Sequence, residues 1–427
     1  MEKSNSNHEL PARSISHETV TDSDEEQTLP QGQSDETTVT GTFEQAKLDP
    51  NLPKEEGVMQ AYYNQYVFDY SVTGVQLTVV GALMYVTLNL VSPMCHVLKS
   101  YFGPKIIIIA GTVIMSLGLI LAGFSTQIWH LYLTQGIMYG IGGSLLFTTA
   151  MGIAPQWFDK RRGLALGICA SGSGIGGLIF PFIMNPLLEN VGAPWCYRIL
   201  GFISLVLGLF ASLFMKERFP QKGKKLSDLM HFSVAKESTF LVWIAGADLC
   251  LLGYLVPFYL IPTYAQEHGM TAAQGASLVS VLSAFNFLGR IVLGFGADYI
   301  GRLNTNIICM VLSGLFVGVI WTFATSYGVL VAFCVLYGFT CGAYFAVMSP
   351  VTALVTGIER YPNCFSVFLV LQAVGYCGTP IAEAIQSATG PGQYLSAQMF
   401  SCITFILGAA CMFILKLKMT KRVFSKI

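Results

Sequence analysis

From residue 74 onward, apolar side chains run in long blocks separated by short polar connections. A helix that crosses the hydrocarbon layer needs about 20 mostly apolar residues, because each residue advances only about 1.5 Å. Eleven blocks meet that length: 74–98, 106–124, 129–153, 163–186, 196–215, 238–262, 273–297, 305–325, 328–352, 364–386 and 394–415. Several are studded with glycine, most densely at Gly172-Ser-Gly-Ile-Gly-Gly177. That run would break a soluble helix but suits close packing between membrane helices. The pattern predicts an all-α polytopic membrane protein with about 11 transmembrane helices.

The halves repeat. Tyr139-Gly140 matches Tyr337-Gly338 and Gly103 matches Gly301 at an offset of 198, while Arg161 matches Arg360 and Pro181 matches Pro380 at 199. A duplicated bundle is expected: a first of about five helices over 57–215, a central loop at 216–237, and a second of six helices over 238–415.

Charge changes the picture at the ends. Lys+Arg and Asp+Glu are both 24, yet residues 1–56 hold 4 basic and 13 acidic ones, so the balance hides an acidic tail and a basic body. With Phe43 its one aromatic residue, that tail cannot bury a core and is expected to be a disordered cytosolic segment. The start lacks the apolar stretch of a signal peptide. Of the 20 basic residues after position 56, 18 fall in alternate connections or the 416–427 tail, which predicts that those connections and the C-terminus are cytosolic. An odd helix count would leave the acidic tail on the opposite face. Either a span is missing before residue 72, or 57–71 enters the membrane without qualifying as a helix, or the tail is external.

Three stretches carry a resemblance: Tyr139-Gly-Ile-Gly-Gly143, Gln156-Trp-Phe-Asp-Lys-Arg-Arg-Gly-Leu-Ala-Leu-Gly167, and Ala170-Ser-Gly-Ser-Gly-Ile-Gly-Gly177. Together they resemble the monocarboxylate-porter family of the major facilitator superfamily, in its fungal branch. Gly289-Arg290 through Gly294-Phe-Gly-Ala-Asp298-Tyr-Ile-Gly301-Arg302 is similar to the superfamily's signature between its second and third helices, here in the second half. The resemblance covers 57–418. It implies the major facilitator fold, two homologous bundles rocking about a midplane cavity, and twelve helices where eleven are counted. Gly57-Val-Met-Gln-Ala-Tyr-Tyr63 resembles residues just after the family's first helix, so that helix is expected to be lost through an unrecognised exon or a real deletion.

An ionisable residue deep in a span is expensive and therefore a candidate for function. Arg290 lies about 12 Å of helix rise from Asp298, with Asn286 one turn earlier. In the family this pair is commonly Asp and Arg, which implies an anion-binding or gating role for Arg290, while Asn286 departs from the pattern and puts proton coupling through the pair in doubt. The plainer reading is that Arg290 neutralises helix ends or a buried carboxylate. Asp248 is a candidate for proton exchange, with surface solvation or a helix pair as its alternatives, and Glu383 is a weaker candidate. Tyr139, Tyr254, Tyr337 and Tyr344 suit a cavity for a ring-bearing substrate, although such residues more often pack or anchor. Gly294, Asp298, Gly301 and Arg302 are expected to form a conformational latch, weaker in the first half where Ser100 stands in the acid's place. Gly172, Gly174, Gly177, Pro181 and Pro380 are expected to serve hinges and packing.

No nucleophile, metal-spaced cysteine pair or clustered histidine points to an enzyme, a metal or a cofactor, and the 11 cysteines read as small buried hydrophobes. No P-loop supports ATP-driven transport, and no basic face with interleaved aromatics supports nucleic acid. The expected function is a secondary transporter in the plasma membrane, a monomer, moving a small organic anion or metabolite by proton symport or facilitated diffusion. Export of a secondary metabolite, or a non-transporting sensor or relic, are the alternatives.

Overall fold

The computed structural model describes residues 74–158, 162–218, 234, 236–357, 360–390 and 393–420. The expected disordered tail, the site of the expected missing helix, most of the central loop and the end of the basic tail lie outside the described residues.

Each of the eleven apolar blocks is helical. Helix α1 spans Gly74–Ala122, α2 Ile128–Leu131, α3 Tyr139–Trp157 and α4 Arg162–Phe214. They are followed by α5 Ser238–Tyr254, α6 Val256–Glu267, α7 Ala272–Ile300, α8 Arg302–Leu315, α9 Tyr327–Cys341 and α10 Ala343–Thr356. The chain closes with α11 Tyr361–Gln372, α12 Gly378–Thr389 and α13 Leu395–Thr420. Among the described residues nine helical stretches are long and apolar enough to cross a membrane, and Leu164–Phe180 is a shorter apolar one.

Two of the long helices hold more than one block. Gly103 breaks α1 with φ 77° and ψ 165°, and Gly192 breaks α4 with φ 75° and ψ 169°. An L side chain rarely adopts such a conformation, so glycine lets the chain turn from one span into the next without a polar loop. The repeat explains itself here: Gly301 has φ 109° and Gly390 φ 105°, each 198 residues beyond its first-half partner.

The bilayer shows in what the helices leave outside. Phe202, Val206, Phe210 and Phe214 form a stripe at four-residue spacing along α4 and are 55% to 72% exposed. In water such a patch would drive association; in hydrocarbon it is the solvated face. The buried core is concentrated in the second half, around Phe240, Trp243, Trp321, Phe333 and Phe368. Some buried polar atoms there find partners across helices, as where Trp243 Nε1 donates to Thr352 Oγ1 at 3.0 Å.

The halves meet along α4 and α7. A Cβ on Gly167 would lie 2.5 Å from the Arg290 carbonyl, and one on Gly174 would lie 2.8 Å from Phe287 Cα. Only glycine allows this approach. Gly177 continues the seam against Ser283. Gly172 does not belong to it, which corrects the expected packing role: nothing lies within 4 Å of a Cβ placed there. Two residues from Gly174 is about 200° around a helix, so Gly172 faces away. The side-chain surroundings of Pro181 lie outside the described residues, while Pro380 sits in the first turn of α12, just after a break in the span.

Candidate functional site

Arg290 lies in α7 at the seam between the halves and is 6% exposed. Its Nη1 donates to the Ala170 carbonyl and to Ser173 Oγ, both at 2.6 Å and both on α4 of the first half. Its Nη2 donates to the Tyr254 hydroxyl at 3.0 Å, and its guanidinium carbon lies 4.5 Å from the Phe345 ring centroid. Nε has no hydrogen-bond partner. Every one of these partners is neutral, so the plainer expectation of a carboxylate counter-ion finds none among the described residues. A buried guanidinium with neutral partners retains its attraction for an anion.

Asn286 does not serve Arg290. Its Nδ2 donates to Cys341 Sγ at 3.2 Å, and Gly342 fills the space beside both side chains.

The aromatic candidates separate. Tyr337 is fully buried and donates to the Tyr254 carbonyl at 2.9 Å, the end of α5, with its ring stacked on Phe333. Tyr344 is 1% exposed, and its hydroxyl is bonded by Gln372 Nε2. Both are held in second-half packing, which corrects their expected place as cavity-facing residues: their hydroxyls are spent on neighbouring helices. Tyr139 is half-buried, packs on the first-half core and lies close enough to Tyr85 for the two hydroxyls to interact electrostatically.

Further aromatic residues that the apolar pattern does not single out stand within electrostatic reach of Arg290. The Tyr85 ring on α1 stacks on Tyr376 at 4.7 Å between centroids, both hydroxyls feel the Arg290 charge, and Asn89 reaches Tyr376. Asn89 also donates to the Tyr85 carbonyl at 2.8 Å, one turn earlier on the same helix. Tyr259 on α6 points its hydroxyl at Gly81 of α1. The available signal was a tyrosine and an asparagine four residues apart, Tyr85 and Asn89, in a mostly apolar block.

Asp248 on α5 accepts a hydrogen bond from the Gly375 N–H at 3.2 Å. Glu383 is half-buried on α12.

At the basic end, Asp298 Oδ2 accepts from the Leu164 N–H at 3.4 Å, so the last turn of α7 caps the start of α4 across the two halves. A carboxylate is favoured at a helix N-terminus, where unpaired amides carry partial positive charge. Arg302, one turn on, is 3.7 Å from Asp298 Oδ1, Gly301 makes the turn between them, and Gly294 lies against Gly167. In the first half Ser100 Oγ donates to the Val97 carbonyl of its own helix at 2.7 Å. The acid missing there comes from elsewhere: Glu217, beyond the end of α4, is 3.2 Å from Lys99, both nearly buried, and Gln156 donates to the same carboxylate oxygen. The first half thus carries a closed ion pair at this end.

Among the described residues no group of three or more His, Cys, Asp or Glu could hold a metal ion.

Residues 57–380 match the family model described as Major Facilitator Superfamily. The chain is 30% identical over 356 residues to MFS transporter asaE of Aspergillus flavus, covering 83% of this chain and 80% of that one. It is 31% identical over 365 residues to the Agnestins efflux protein AgnL12 of Paecilomyces divaricatus, covering 85% and 82%. Its fold resembles the crystal structure of the human organic anion transporter MFSD10, with a TM-score of 0.58 at 14% identity, over 83% of this chain and 88% of that one.

Proposed function

Because this chain belongs to the Major Facilitator Superfamily and is a multi-pass membrane transporter, we propose that it exports a small, ring-bearing organic anion by alternating access. The observation that carries the reading is the buried Arg290, bonded by Ala170, Ser173 and Tyr254 and faced by no carboxylate among the described residues. The stacked rings of Tyr85 and Tyr376 and the face of Phe345 stand beside it and suit a planar apolar body. Export is favoured over uptake because the relative AgnL12 is named as an efflux protein.

Arg290 joins the halves through α4, so an anion that draws the guanidinium away from Ala170 and Ser173 loosens the seam on which closure rests. In the same reading Asp298 at the Leu164 amide holds the basic end shut, and release there opens the opposite phase of the cycle. The subfamily is the monocarboxylate-porter-like branch, supported by the motif residues from Tyr139 to Gly177; the membrane is the plasma membrane and the C-terminus is cytosolic, supported by the distribution of Lys and Arg. A first helix of the family's pattern is missing before Gly57, which cDNA across Lys54 to Gly57 would test.

Export from cells loaded with a panel of aromatic and aliphatic carboxylates tests the function. Wild-type protein lowers retention of at least one aromatic carboxylate, Arg290→Ala abolishes that effect at equal membrane abundance, and Arg290→Lys retains part of it. Equal export by wild type and Arg290→Ala would overturn the reading.

A further inference from the structure

The span that faces α1 from the second half is not one helix. Helix α11 ends at Gln372, a tight 3-10 turn covers Ala373–Cys377, and α12 begins at Gly378. Irregular backbone at membrane depth is tolerated where another group satisfies the amides it frees. Here the Gly375 N–H donates to Asp248 Oδ1 at 3.2 Å.

The two chains touch backbone to backbone at this point. A Cβ on Gly375 would come within 3.1 Å of Asp248 Cα, and one on Gly378 within 2.0 Å of the Leu252 carbonyl. Helix α5 is itself interrupted at Leu255, where α6 takes over. Asp248 therefore lies on one interrupted span and bonds the break of another, and discontinuous helices in transporters mark ion and substrate sites.

What surrounds the carboxylate decides what it can bind. From α10 it is faced by Tyr344, which feels its charge. The 3-10 turn brings Tyr376, and Cys250 follows on its own helix. From α13, Cys411 lies against Gly246, and Lys418 bonds Ser238 only at the start of α5. Glu383 is the acid on α12. No Lys, Arg or His among the described residues pairs with Asp248. The field of Arg290 reaches this network at Tyr376. A carboxylate held by one amide and no cation is costly to keep charged inside a membrane. Among the described residues nothing around it resembles the oxygen cage of a metal ion, and the ligand that fits is a proton.

We infer that Asp248 is the proton-binding site of the transporter, and that the break at Ala373–Cys377 is the element its protonation moves. The step is a simple transfer: hydronium gives H+ to the carboxylate and leaves as water, and the reverse returns the proton to the opposite aqueous phase. In the charged form the carboxylate is a strong acceptor and fixes the Gly375 amide. Protonation weakens that acceptor and turns one carboxylate oxygen into an O–H donor. The turn then loses its anchor. Tyr376, next to Gly375 in that turn, stacks on Tyr85 of the other half, so the movement reaches the contact between the halves beside Arg290.

The coupling rests on the export reading above; the proton site does not. Infrared difference spectra of the full chain in lipid vesicles, taken across a pH series, read the C=O stretch of protonated aspartic acid without any transported substrate. Beside the bands of its other carboxyls, wild type is expected to show a titrating aspartic-acid band that is absent from the Asp248→Asn spectrum. Asp248→Glu is expected to keep a titrating band displaced in frequency, and decides the matter if the Asn variant does not fold. Protection of amides 372–378 against hydrogen exchange, taken relative to the intrinsic rate at each pH, is expected to fall on acidification in wild type and to be equally low at every pH in Asp248→Asn. Survival of that aspartic-acid band in Asp248→Asn, its absence from wild type, or the same pH response of 372–378 in both proteins would each overturn the inference. Failure of every anion in the export panel would sink the export reading and leave the infrared result standing.

Discussion

The Tyr85 ring lies flat on the Tyr376 ring, with centroids 4.7 Å apart and planes 6° from parallel. The two residues belong to opposite halves of the chain, and both sit within the electrostatic reach of Arg290. A contact of this kind can be made and broken as the halves rock, and it is worth about 0.5–1.5 kcal/mol beyond area burial. Tyr376→Leu should therefore weaken closure without unfolding the protein: export is expected to fall several-fold while Tm changes little. Tyr85→Phe keeps the ring and should retain export; equal loss in both variants would show that the hydroxyls, not the stacking, matter.

Asn286→Asp would place a carboxylate one turn from Arg290 on the same face. Its charge would satisfy the guanidinium that now has neutral partners and compete with an incoming anion. Anion affinity is expected to drop by about tenfold or more, the equivalent of about 1.4 kcal/mol, measured as the concentration that half-saturates binding. Unchanged affinity would mean that position 286 cannot reach the anion subsite.

The seam between α4 and α7 predicts opposite signs for two neighbouring alanines. Gly174→Ala drives a Cβ to 2.8 Å from Phe287 Cα, and overpacking of this kind costs about 1–3 kcal/mol. Gly172→Ala meets nothing within 4 Å and should gain about 0.5–1 kcal/mol from helix propensity. Melting of the two purified variants in detergent is expected to move down and up respectively; a common direction would place the seam elsewhere.

Breaking the Lys99–Glu217 pair should be costly, because both side chains are nearly buried and the survivor would be an uncompensated charge. Glu217→Ala is expected to destabilise by about 3–5 kcal/mol, and Lys99→Met combined with Glu217→Leu should recover much of that. The Arg360–Glu237 pair is exposed, so Arg360→Ala should leave Tm within error. Thermal melts of all three proteins check the contrast.

The eleven apolar blocks and the duplication were readable from the chain alone. Hydrocarbon imposes the same length on every spanning helix, and a turn with positive φ selects glycine at Gly103 and Gly301 wherever the fold is repeated. Arg290 was readable too, since a charge in the middle of an apolar block stands out against its neighbours. What it touches was not. Ala170 and Ser173 are 120 and 117 residues away in sequence and Tyr254 is 36 away. Helices solvated by lipid on one side and packed on protein on the other are apolar all round, so no periodic polar face marks the inner surface. The same blindness hid the Tyr85–Tyr376 stack, the Glu217 partner of Lys99 and the amide that Asp248 holds. It also made Tyr337 and Tyr344 look like cavity residues, when their hydroxyls are occupied by the Tyr254 carbonyl and the Gln372 amide. The order of apolar and polar residues settled which segments cross the membrane; which side chains meet at its centre depended on how the helices rotate about their axes, and only packing fixes that.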